Sequence, residues 1–332
     1  MTQADETGSK LQQVLEAGQF AMTAETSPPD AASAEVVLSR VRCLKGLADA
    51  VNVTDGASAR VHMSALAAAA IMAREGIDPV LQLTTRDRNR LALQGDVVGA
   101  SALGICNFLC LTGDKMAAGD QPDAAEVFEI DSGALMRQMR DMRDLGTYPS
   151  GREINPPPAL FIGGAEVPSD PGADWSPARI LAKIDNGAQF FQTQYCFDLG
   201  TVERYCHRLV EEGITEKAHF LIGIGPLASA KSARWMTENL FGVHVPDEII
   251  RRLDGAEDQR AEGRAVCAEL LQGFAEIKGC AGAHLMAPHQ EAACAQVIEE
   301  SGLLQQRGSF FKEPLTVHPL FLGPKKREDA MS

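Results

Sequence analysis

The chain reads as a (β/α)8 barrel of the α/β class, and three observations lead there. Eight short apolar runs of β-like composition alternate with longer stretches of helical periodicity. No Pro/Ser-rich linker interrupts them and no internal repeat shows, so they belong to one unit. Polar residues or glycines recur at the end of all eight runs, and in a barrel those ends share a single mouth. A doubly wound sheet is the alternative arrangement of the same elements.

Taken in order, the first run is QFAMTAET (19–26), which ends on Glu25 ahead of Pro28 and Pro29. The second, ADAVNVT (48–54), ends on Thr54 and Asp55. The helical pattern VHMSALAAAAIMAREG (61–76) follows, and its Ala-rich centre is too short for anything but a buried helix. The third run, PVLQLTT (79–85), carries Gln82, Thr84 and Thr85. It stops in the cluster Arg86-Asp87-Arg88-Asn89, where Asp87 suits the N-cap of a helix beginning at Arg88. CNFLCLTG (106–113) places Leu111, Thr112, Gly113 and Asp114 at its end, with Cys106 and Cys110 on one face as core filler. PALFIGG (158–164) ends on Gly163 and Gly164, QFFQTQY (189–195) on Gln194, and AHFLIGIG (218–225) on Gly223 and Gly225. A longer helix pair, DEIIRRLDG and then 257–278, precedes the last run, AGAHLMA (281–287), with His284 and the following Pro288. The barrel is expected over 17–322, between a loosely ordered segment 1–16 and a flexible tail 323–332.

Composition excludes several classes. Lys and Arg total 31 against 45 Asp and Glu, a net charge of −14, and no basic run interrupts the acidity. A nucleic-acid partner needs a positive footprint and is not expected. No signal core or membrane-length apolar run occurs, so the setting expected is cytoplasmic, without a membrane. The eight cysteines form no CxxC pair and none lies at zinc spacing beside a histidine, which suits a reducing compartment and no metal.

Among the strand-end residues, Glu25 stands on a backbone stiffened by two prolines. Desolvation there would favour a protonated carboxyl, the form a general acid needs. An exposed edge glutamate is the plainer reading. Asp114 closes a Thr-Gly-Asp turn that presents backbone N–H groups and one carboxylate; an Asx-type turn accounts for it equally well. Gln194 offers an amide matched to the edge of a heterocycle, or a buried structural amide. GIGPLA (223–228) imitates a dinucleotide fingerprint, but Pro226 interrupts it and a helix pair follows in place of a second strand. A glycine turn at a barrel strand end is preferred.

LTTRDRNRLALQGDVVGASALGICNFLCLTGD (83–114) resembles the bacterial methylenetetrahydrofolate reductases. So do AETSPP near the start, NGAQFFQTQYCFD, GIGPL, FGVHVPDEII and AGAHLMAP, in order along nearly the whole chain. The resemblance implies a barrel holding FAD that reduces 5,10-methylenetetrahydrofolate to 5-methyltetrahydrofolate, with NAD(P)H as electron source and a place in one-carbon metabolism and methionine biosynthesis. By matching motif, Glu25 is the proton donor to folate N10. Asp114 lies beside flavin and pterin in a catalytic and substrate-binding role, and Gln194 binds the pterin. Thr54, Thr84 and Leu111 to Asp114 fall where the family contacts isoalloxazine and ribityl, Lys183 where it contacts the distal, phosphate-bearing half, and Gln82 and Gly164 are further cofactor-binding candidates. Arg86 and Asn89 (with Arg88) are candidates for phosphate or ribityl. A homo-oligomer is the expected assembly.

The chain departs from the family pattern at several of these positions. Gln82 replaces a histidine, Thr112 an arginine, Gly164-Ala165 a tyrosine–proline pair, and Ala182 the arginine before Lys183. Those changes bear on the flavin more than on the folate chemistry. They leave open a flavin-free partner subunit, while a non-redox methyl-folate methyltransferase of the same fold would have no use for an acid at N10. The direction of reaction is equally open, since a C1-catabolising cell would run it oxidatively.

Overall fold

The structure, a computed structural model, describes residues 9–172 and 174–307. Eight parallel strands close into a barrel in sequence order, with β8 pairing back onto β1. The elements run α1 (Lys10–Glu16), β1 (Ala21–Thr26), α2 (Ala34–Val41), β2 (Ala50–Val53), α3 (Ala65–Arg74), β3 (Pro79–Thr84) and α4 (Arg90–Ala102). They continue with β4 (Asn107–Leu111), α5 (Ser132–Asp144), β5 (Phe161–Glu166), α6 (Ala178–Asp185), β6 (Phe190–Tyr195) and α7 (Leu199–Glu211). The last third is β7 (His219–Ile224), α8 (Ala230–Asn239), α9 (Asp247–Asp254), α10 (Gln259–Glu276), β8 (Gly282–Leu285) and α11 (Glu291–Glu300).

All eight expected strands form. β5 begins at Phe161, three residues later than its apolar run, because Pro156 to Pro158 cannot donate to the ladder. Three helices, where the periodicity indicated two, separate β7 from β8. The additional one, α8, starts in a capping box between Ser229 and Ser232. No helix among the described residues is long and apolar enough to cross a membrane.

Strand alternation gives the barrel its two faces. Outward residues such as Val51, Leu81, Phe108, Ile162 and Phe220 join the helices in the main core. Inward residues at the N-terminal end form a second cluster: Ala21, Ala50, Val80, Leu109, Phe161, Phe190 and Leu221. The Phe161 and Phe190 rings stack there at 4.8 Å. Gly163 is required beside them, since a Cβ would lie 2.4 Å from the Phe190 ring.

Residues 10–16, within the segment read as loosely ordered, form α1, whose Leu11, Val14 and Leu15 close the bottom of this cluster. Ser9 caps the helix through Gln12 N at 3.1 Å. Beneath it Asp49 accepts from Arg307 at 2.6 and 2.8 Å and lies 3.5 Å from Lys10. Residues 1–8 and the tail 323–332 lie outside the described residues.

Candidate active site

Above the apolar cluster the barrel interior turns polar. Thr23, Asn52, Gln192 and His284 occupy inward positions of β1, β2, β6 and β8 and are all buried. Asn52 Nδ2 donates to Gln192 Oε1 at 2.6 Å, and Gln192 Nε2 donates to Asn52 Oδ1 at 2.9 Å and to Thr23 Oγ1 at 3.0 Å. Thr23 Oγ1 then stands 2.9 Å from His284 Nδ1. Gln192 Nε2, a donor, also lies 3.3 Å from Nδ1, so the tautomer with its hydrogen on Nε2 suits both neighbours of the ring.

That Nε2 points at Glu25. It lies 3.6 Å from Glu25 Oε2, and Gln82 Nε2 donates to the same oxygen at 2.8 Å. Glu25 is therefore pinned by one oxygen while the other remains for the mouth. Among the inward-facing residues of the eight strands it is the one carboxylate, and its side chain keeps 22% of its surface exposed. Tyr195 closes one side, donating to Met286 O at 3.0 Å; burial, then the nearness of Glu25, raises its hydroxyl pKa so that it stays protonated.

Gln194 projects inward one step above Gln192 on β6, next to a register shift between Gln192 and Tyr195. Its Oε1 accepts from Tyr195 N at 3.0 Å, leaving its NH2 without a partner among the described residues. Asp114 is exposed at the end of the β4 turn, where its backbone oxygen accepts from Arg86 at 3.2 Å.

The polar cluster after β3 is organised around Asp55, which accepts from Thr84 N at 2.8 Å, from Thr84 Oγ1 at 3.0 Å and from Arg88. Arg86 is buried and forked onto Asp87 at 2.7 Å through each of two nitrogens, which raises its pKa above the usual arginine value. It also donates to Gly56 O at 3.2 Å, so it ties the β2, β3 and β4 loops together. Asp87 is spent on this pair and does not cap α4. The helix starts two residues later than expected and the N-cap is Asn89, which accepts from Ala92 N at 3.0 Å.

Other expected cofactor contacts are placed differently from a flavin wall. Gly164 faces outward, where a Cβ would lie 3.0 Å from Met136. Lys183, on α6, is bound to Glu166 at 3.0 Å and to Ala165 O. Thr54 Oγ1 donates to Ser27 at 3.1 Å. Gln82 serves Glu25.

The remaining ones sit together. Leu111 is half-buried at the top of β4, Thr112 is exposed and reaches Ser132 at 3.3 Å, and Gly113 turns at φ +91° against Thr84 and Arg86. A cleft of mixed charge, lined by Asp55, Asp87 and Asp120 as well as Arg60, His62 and Arg86, opens beside them. Arg88, whose terminal nitrogens bind Asp55 and Asp96, keeps its Nε buried without a hydrogen-bond partner among the described residues. An apolar platform, a glycine turn and hydroxyls along the β3–β4 edge fit a flavin ring system, whereas Lys183 beside β5 is already paired with Glu166.

Asn52, Thr23, Gln192 and the hub role of Asp55 were not singled out from sequence. The available signal was polarity at every second position of strands that should be apolar inside. The cysteines are structural: burial pushes the Cys106 thiol up to about 11 and Cys110 up to about 12, leaving both unreactive.

The sequence model of the family described as methylenetetrahydrofolate reductase matches residues 10–302. A Caenorhabditis elegans protein named "Probable methylenetetrahydrofolate reductase (NADPH)" is 24% identical over 257 residues, 75% of this chain and 36% of that protein. The 5,10-methylenetetrahydrofolate reductase of Pectobacterium carotovorum is 26% identical over 208 residues, 62% of this chain and 63% of that one. The match thus spans between about a third and two thirds of the length of these curated relatives. In structure, the chain is similar to a Clostridium thermocellum protein described as binding two copies of 5-methyl-5,6,7,8-tetrahydrofolic acid. The TM-score is 0.59 at 14% identity, over 88% of this chain and 99% of that one, a likeness of fold.

Proposed function

The chain belongs to the methylenetetrahydrofolate reductase family, and on that premise we propose that it reduces 5,10-methylenetetrahydrofolate to 5-methyltetrahydrofolate. The observation that carries the reading is the single inward carboxylate, Glu25, held by Gln82 and His284 at the barrel mouth. The bridging carbon of the substrate accepts hydride only after the five-membered ring opens, and opening requires a proton on N10. Gln82 donates to Oε2 and His284 lies 3.6 Å from the same oxygen, which leaves Oε1 as the oxygen from which a proton is delivered to N10. Bond breaking at N10 leaves an iminium between N5 and the bridging carbon, which the hydride reduces. Gln194 contributes its free amide to the pterin edge, and Asp114 lies at the rim of the same mouth.

Thr84 and Leu111 to Asp114 would hold FAD along the β3–β4 edge, where it would supply the hydride, with NAD(P)H as the electron source. The folate-binding protein of similar fold supports the substrate class, and reduction is the direction proposed. A cytoplasmic setting and a homo-oligomer belong to the same proposal; eight free thiols and the exposed Trp235 and Phe241 support them.

The test is single-turnover kinetics on Glu25→Gln, which preserves shape and hydrogen bonding but removes the proton. Reduction of bound flavin by NAD(P)H should survive, while its reoxidation by methylenetetrahydrofolate falls by about 10²–10⁴, the usual worth of a general acid. Reoxidation at the wild-type rate would mean that another group supplies the proton. Purified protein that takes up no flavin would refute the cofactor assignment.

A further inference from the structure

The polar layer beneath Glu25 is joined across the barrel rather than along its ladder. Gln192 leaves β6 and reaches residues of β1, β2 and β8, none of which pairs with β6. Thr23, Asn52, Gln192 and His284 are each at most 3% exposed, and the inward cluster below them is apolar. An apolar side chain at 192 would fill the same space without the cost of burying an amide. The amide that stands there has both N–H bonds and its oxygen engaged.

These bonds have a direction. Asn52 and Gln192 exchange two of them, at 2.6 and 2.9 Å, so each amide fixes which way the other faces. The N–H side of Gln192 meets Thr23 Oγ1 at 3.0 Å and lies 3.3 Å from His284 Nδ1. Nδ1 therefore stays bare and the ring hydrogen lies on Nε2, which faces Glu25 Oε2 at 3.6 Å. That separation exceeds a hydrogen bond, so the ring acts on the carboxyl through the sign of its dipole. The opposite tautomer would aim a lone pair at Oε2 and draw the acid's proton onto that oxygen, away from the mouth. With an N–H there, and Gln82 donating at 2.8 Å, Oε2 is an acceptor both before and after Glu25 releases a proton from Oε1. No side chain has to turn over between the two states.

We propose that Gln192, oriented by Asn52, is a positioning residue for the proton donor: it sets the tautomer of His284 and thereby keeps the transferable proton of Glu25 on the oxygen that faces the mouth. The inference rests on the function proposed above and deepens its account of Glu25. Gln192 acts through the imidazole, so its effect falls on the proton and leaves the binding of folate alone.

The experiment follows the ring nitrogens of His284 by NMR, assigned by their loss in His284→Asn, beside single-turnover kinetics. Wild type should carry the ring hydrogen on Nε2. Gln192→Met keeps the volume and removes the amide, so the ring signals should move towards a mixture of tautomers. Flavin reoxidation by methylenetetrahydrofolate should then fall by about 10–100-fold, the usual loss when a group that orients a working histidine is removed. The dissociation constant of 5-methyltetrahydrofolate should stay at its wild-type value, whereas a merely structural role would move affinity together with rate. Asn52→Leu, which frees the amide to turn, should give the same split in smaller measure and serves if Gln192→Met does not fold. A wild-type ring with its hydrogen on Nδ1, a folded variant with the wild-type rate, or an equal loss of rate and affinity overturns the inference. Wild type that neither binds 5-methyltetrahydrofolate nor passes electrons to methylenetetrahydrofolate would refute the functional reading itself, which separates that failure from the others.

Discussion

At the scale of single residues, the site depends on which hydrogen bonds are already taken. Gln192 meets acceptors on three sides, Asn52, Thr23 and His284, and this orders a row of polar groups ending at Glu25. Gln82, at the position where the resemblance implies a histidine, donates its amide to Glu25 Oε2. Gln194 differs from Gln192 in having an unspent NH2. Replacing it with Leu should therefore weaken folate binding by about 1–3 kcal/mol, the cost of leaving a buried partner unpaired. Flavin reduction by NAD(P)H should be almost unchanged, because that half-reaction does not use the pterin contact. Titration of folate binding beside the flavin-reduction rate checks this. Equal damage to both would make Gln194 a structural amide holding β6.

At the scale of elements, the β4 turn carries the clearest dependence. Gly113 has φ +91°, where a side chain costs about 1–2 kcal/mol, and a Cβ would sit 3.2 Å from Thr84 and 3.3 Å from Arg86. Gly113→Val should push the turn off the β3–β4 edge and lower flavin content, with far-UV circular dichroism retained. A folded variant that purifies with full flavin would remove the turn from the cofactor site. The eight strands were legible in the sequence because apolar β-rich runs bounded by turn residues are local signals. The placement of Glu25, Gln194 and the β4 turn at strand ends was legible because they close such runs. What was not legible depends on contacts between distant strands: Gln82 turning to Glu25, Lys183 closing on Glu166, Gly164 facing Met136. Asn89, rather than Asp87, capping α4 was a local ambiguity, since both residues are good caps and only the Arg86 fork decides between them.

At the scale of the whole molecule, chemistry and stability occupy opposite ends of the barrel. The bottom is sealed by α1, and with it come groups that the mouth never touches. Asp78 is buried there, accepting from Leu11 N at 3.3 Å and Asn107 Nδ2 at 3.0 Å. Burial pushes its carboxyl up to about 6, against the opposing pull of those hydrogen bonds and of Lys10. A carboxyl whose folded pKa exceeds its unfolded value holds its proton more tightly when folded. Its contribution is fully present below the ordinary aspartate range and is lost as pH rises through about 6, a difference of about 3 kcal/mol for a shift of about two units. Asp78→Asn keeps an acceptor for one of the two donors but removes the titration. Urea unfolding of both proteins from about pH 4 to about pH 7 should therefore show the wild type losing stability relative to the variant as pH rises. The divergence should be complete by neutrality, where wild-type Asp78 is ionised in a dry site and the asparagine is not. Parallel stability curves across that range would mean that Asp78 ionises with the same ease folded and unfolded, and that the α1 seal admits water.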